Sequence, residues 1–142
     1  MIELEHIKTH CDAIEEWYEF MLAFAAQGIA DDRESPHGSQ LRQLLAGAID
    51  AASKLPASYS AMAASVPPAS RQKYMNFLDV LKRDTANALA AMELVLVQAK
   101  ISSQLVDNLN ASLHVRTLLT DVFLLDEIAQ VWGGIHCVPS FP

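Results

Sequence analysis

The sequence predicts an all-α protein, an antiparallel four-helix bundle, and three observations carry that prediction. Apolar residues recur at steps of three and four along most of the chain. Strand signals, which would be alternating apolar residues between turn residues, are nearly absent. Hydrophobic residues make up 51% and charged residues 19% of 142 positions, enough apolar surface to offset the ordering entropy of one domain.

The first helix is expected over about 2–27. Leu4, Ile7, Cys11, Ile14, Tyr18, Met21 and Ala25 alternate steps of three and four, while Glu5, Thr9, Asp12, Glu16 and Glu19 lie on the other side. Gly28 supplies a stop. The connector "IADDRESPHGS" is rich in helix starters, with Ser35 before Pro36, or Ser39, as the expected cap of a second helix over 36–55. Leu41, Leu44, Ala48, Ala51 and Leu55 form its stripe, and Pro56 is expected to end it. The next stretch either loops or forms a short extra helix at 57–65, with Tyr59, Met62 and Val66 tucked inward, and the tandem Pro67 and Pro68 mark a fresh start.

From Ala69 to Trp132 the chain holds no glycine or proline, yet one helix of that span would be about 95 Å long, too long for so small a domain. The polar run Asp107 to Ser112 is the expected turn. A third helix over 69–106 then carries Tyr74, Leu78, Leu81, Thr85, Ala88, Met92, Val95, Ala99 and Val106. A fourth over 111–132 carries Val115, Leu118, Val122, Leu125, Ala129 and Trp132. Residues 1–132 read as one helical domain, and 133–142 as an apolar, non-helical tail.

The third helix is apolar beyond its seam, at Leu89, Ala90, Leu94, Leu96 and Val97. Such a helix is expected to be covered on most sides, and a second copy of the chain would cover it, hence an expected homodimer through this helix.

The net charge is −7. Residues 1–35 hold nine acids against Lys8 and Arg33, and the remaining eight acids and eight bases cancel. A one-signed first helix suits encounter with a basic partner and repels nucleic acid phosphates. No charge-free run approaches the length of a membrane span, and the acidic start "MIELEH" lacks the basic region of a signal peptide. Two distant cysteines, Cys11 and Cys137, suit a reducing compartment as free thiols or small apolar side chains, which makes the cytoplasm the expected location.

For chemistry, the stretch "EHIKTHCDAIEEW" offers His6 and His10 four apart on neighbouring turns, a two-ligand metal clip, with Glu3 on the same stripe. Zinc or iron would need further ligands, and an up-down bundle would bring His136 and Cys137 to the same end. The later helices supply no inward acid series, because Asp121, Asp126 and Glu127 fall outside the fourth stripe. No nucleophile elbow, phosphate-cradling glycine loop or paired cysteine motif is present, so no cofactor is expected. The function this favours is non-catalytic protein binding of the chaperone, adaptor or immunity/inhibitor type. Its partner surface would combine the acidic Glu15, Glu16 and Glu19 with an apolar helical groove, and Leu94 and Val97 are further expected partner-binding residues. The metal-binding bundle is the alternative.

Overall fold

A computed structural model describes residues 2–132 of the chain. Their regular structure is all helix, with no strand among the described residues. Five helices stand where four were expected: α1 (Ile2–Ala25), α2 (Gly38–Ala61), α3 (Pro68–Leu96), α4 (Ser103–Ala111) and α5 (His114–Val131). Single 3-10 turns lie at Asp32–Glu34 and Ala63–Ser65. α1 packs on α2 and α4, while α3 packs on α2, α5 and α4.

The apolar spacing of α1 does what it predicts. Ile7, Cys11, Ile14, Tyr18 and Met21 are buried, joined by Trp17 and Phe24. Cys11 is disulfide-bonded, where the sequence reading took it for a free thiol or a small apolar side chain. The Tyr18 hydroxyl donates to Asn110 Oδ1 at 3.0 Å, tying the middle of α1 to the end of α4. After Ala25 the chain turns through Gly28, whose φ of +68° belongs to the left-handed region that glycine enters without strain.

Pro56 does not end α2; it lies inside it. A proline there withdraws the N–H that would bond the Ala52 carbonyl, at a cost of about 3 kcal/mol in a helix interior. Tertiary contacts offset that loss. Leu55 and Tyr59 are buried on either side, and the Tyr74 hydroxyl donates to the Tyr59 carbonyl at 2.6 Å, pinning the last turn to α3. The expected helix at 57–65 is therefore the end of α2 plus a 3-10 turn. Nor do Ser35 and Ser39 cap α2: its first residue is preceded by His37, which makes no side-chain cap bond.

The third helix ends at Leu96, ten residues earlier than expected. Arg42 of α2 explains where. Its Nη1 donates to the Leu96 carbonyl at 3.1 Å and its Nη2 to the Gln98 and Ala99 carbonyls at 2.9 and 3.3 Å, so a cation sits at the negative end of α3. The same guanidinium grips the buried Asp32 carboxylate, with Nε to Oδ2 at 2.6 Å. Ser102 then caps α4, its side chain accepting from the Leu105 N–H at 3.0 Å. The polar run from Asp107 is the body of α4 and not the turn. The turn is at Ser112 and Leu113, where Leu113 adopts φ +68°.

The buried side chains form one cluster running from Ile7 to Leu125. The expected seam of the third helix is buried from Tyr74 to Val95, and Ala99 falls in the exposed loop after α3. Within one copy of the chain the end of this helix is left bare: Leu94 is 65% and Val97 74% exposed. Both lie off the face that buries Met92 and Val95. Asp121 and Asp126 also depart from expectation, since both are buried. α5 meets α3 along one side and α4 along another, so its dry face is wider than a single stripe.

Candidate partner-binding surfaces

An open apolar groove of about 240 Å3 runs between α3 and α5. Tyr74 and Phe77 line it from α3, and Leu124, Leu125, Ile128 and Trp132 from α5 and its C-terminal end. The Tyr74 and Trp132 rings lie 6.1 Å apart at 60°, a tilted pairing that sets the register of the two helices. Ser70 and Lys73 edge the opening. Leu124 remains 47% exposed, which leaves an apolar side chain at the lip. Sequence reasoning placed Tyr74, Leu125 and Trp132 on seams but missed Phe77, Leu124 and Ile128. The signal was available in the off-seam apolar residues of "VFLLDEIAQVW", which flank the stripe at every turn.

The acidic stripe of α1 is a second surface. Glu16 and Glu19 are exposed and Glu15 is half-buried. Burial first, then the neighbouring Glu19 and Asp12, push the Glu15 carboxyl up from its ordinary value, while Lys8 opposes them weakly. Lys8 is occupied with Asp12 at 3.1 Å. This pattern marks a region of one-signed potential. Leu94 and Val97 make a third surface at the end of α3. The packing partners of α1 are α2 and α4, and those of α3 are α2, α5 and α4, so the acidic stripe and the Leu94 and Val97 face are carried by helices that are not neighbours.

The histidine pair sits on α1 as its spacing requires, with ring centroids 6.3 Å apart. Burial, then Lys54 of α2 and His6, push the His10 imidazole down, with Asp50 opposing. Lys54 is an unsuitable neighbour for a bound cation, and it is paired with Asp50 at 2.9 Å. Among the described residues no three of His, Cys, Asp and Glu gather into a ligand set. The Glu3 side chain, His136 and Cys137 lie outside the described residues, as does the tail at 133–142.

One carboxyl is placed unusually. Asp121 of α5 is 8% exposed, and its Oδ2 is buried with no hydrogen bond. Burial first, and then the Asp84 carboxyl of α3 beside it, push Asp121 up to about 7. A bond between two carboxyl groups exists only while one of them holds a proton.

Compared with known protein families, with curated proteins and with solved structures, the chain finds no match in any of the three. No helix among the described residues is long and apolar enough to cross a membrane.

Proposed function

We propose that the chain is a non-catalytic protein-binding module that receives an apolar helical segment of a basic partner. The observation that carries this reading is the α3–α5 groove, an open trough lined by Tyr74, Phe77, Leu124, Ile128 and Trp132. Grooves between helices, lined with aromatic and aliphatic side chains, take the apolar face of an amphipathic helix. The acidic stripe at Glu15, Glu16 and Glu19 steers a basic partner during encounter, because a one-signed patch raises the rate at which its complement arrives. The long helices act as an antiparallel bundle that holds both surfaces in place. A chaperone, an adaptor and an immunity or inhibitor protein all use such a scaffold.

The bare Leu94 and Val97 support a homodimer through the end of α3, in which a second copy supplies the cover that the chain itself lacks. The disulfide at Cys11 favours an oxidising compartment over the cytoplasm.

The experiment is affinity capture from the native cell with the tagged chain, followed by titration of the captured protein against wild type and a groove variant. A stoichiometric partner that binds wild type and not Leu124→Asp supports the groove reading. A partner indifferent to that change overturns it. Light scattering on a size column tests the dimer: a dimer at tens of micromolar that Leu94→Asp splits is expected, and a monomeric wild type retires it.

A further inference from the structure

Asp84 of α3 and Asp121 of α5 lie at matching heights on the two helices, and the Asp121 carboxyl is buried where α5 packs on α3. Tyr74 pairs with Trp132 at one end of the two antiparallel helices. Moving ten residues up α3 and eleven residues down α5 from that pair reaches Asp84 and Asp121, and Asp84 is the group whose carboxyl acts on Asp121. The pair therefore continues the seam whose other end is the groove. Asp121 is buried, Asp84 is half-buried, and Asp121 Oδ2 accepts from no donor.

We propose that Asp84 and Asp121 form a proton-sharing clasp holding α5 on α3, and that loss of the shared proton to solvent lets α5 lift from α3 about the joint at Leu113. With the proton present, one carboxyl donates to the other and the buried oxygen is satisfied. Without it, two anions share a dry seam, and each destabilises the other.

Among the described residues, the causes that move Asp121 are its burial and Asp84, with no cation among them. On α3 the flanking Lys82 and Arg83 are exposed, as are Asp79 and Glu93. From α4 the one titratable residue is Asp107, also exposed. On α5 itself His114, Arg116 and Glu127 are exposed and Asp126 is buried, and Asp84 is the charged group that moves Asp121. Leu113 supplies the hinge: a leucine at φ +68° is a strained joint, and local strain is commonly stored where a segment moves. α5 makes its main packing with α3 and lesser packing with α4, so release from α3 frees most of it.

The direction follows from linkage. The folded-state value of about 7 lies above the free value of 3.8, so the clasp stabilises fully below 3.8, and its contribution fades as pH rises through about 7.

Hydrogen exchange resolved by segment tests this, with the opening constant corrected for the intrinsic rate. Between pH 5.5 and 8.5 the opening of residues 114–131 is expected to rise by on the order of tenfold or more while α1 and α2 hold steady. Asp121→Asn, which keeps a donor in place at every pH, is expected to flatten that rise. Asp84→Asn, at a half-buried and more forgiving position, is expected to flatten it too, and serves if the first variant folds poorly. A flat wild-type profile overturns the clasp. So does a rise that survives Asp84→Asn, or one shared equally by all helices.

Discussion

Asp32 and Ile101 exchange two hydrogen bonds across the chain: the Asp32 N–H donates to the Ile101 carbonyl at 2.9 Å, and the Ile101 N–H donates to Asp32 Oδ1 at 2.7 Å. With Arg42 on the other carboxylate oxygen, this knot joins the connector after α1, the start of α2 and the loop after α3. Ser103 repeats the idea next to it, its N–H donating to the Ile29 carbonyl at 2.7 Å and its hydroxyl to the Phe24 carbonyl at 2.6 Å.

Asp32→Ala is expected to destabilise the fold by about 3 kcal/mol, the lower end for a buried pair broken on one side, since Arg42 keeps some water. Urea unfolding measures it. Burial pushes the Asp32 carboxyl up, but Arg42 and the Ile101 N–H hold it net below 3.8. Its contribution is therefore present above 3.8 and lost as pH falls through the lower folded value, so the variant should show a smaller loss of stability in acid.

Gly38→Ala is expected to be more harmful than an added methyl usually is. A Cβ at this position would lie 1.8 Å from the Asp32 carbonyl oxygen, so the start of α2 must move off the knot. The loss should reach the upper part of the roughly 1–3 kcal/mol range for overpacking, with a matching fall in the unfolding midpoint.

Leu124→Asp should leave the fold nearly unchanged, within about 0.5 kcal/mol, because the side chain already meets water at the groove lip. Binding of a captured partner should weaken at least tenfold, about 1.4 kcal/mol, as an anion replaces apolar contact. Titration calorimetry on both proteins separates the two effects.

Replacing Glu15, Glu16 and Glu19 together by glutamine should slow association with a basic partner by about tenfold at low salt and leave dissociation nearly unchanged. The difference should shrink at high salt as the charges are screened. Stopped-flow rates at two ionic strengths decide it. A dissociation rate that changes as much as the association rate would mean these acids touch the bound partner.

Local spacing was enough to reveal the helical class, the buried seam of α1 and most of the seam of α3, because helix periodicity is written into consecutive residues. Phe77, Leu124 and Ile128 were legible as apolar but not as a groove, since a groove needs two helices in known register. Pro56 inside α2, the end of α3 at Leu96 and the burial of Asp121 were not legible at all. Each is set by a residue distant in sequence: Tyr74 on the Tyr59 carbonyl, Arg42 on the carbonyls after Leu96, and Asp84 beside Asp121. By itself, then, the sequence determined what could be helix and which faces were dry. The tertiary structure alone decided where helices stop and which polar groups go inside, because a carbonyl or carboxylate is settled by the partner that reaches it.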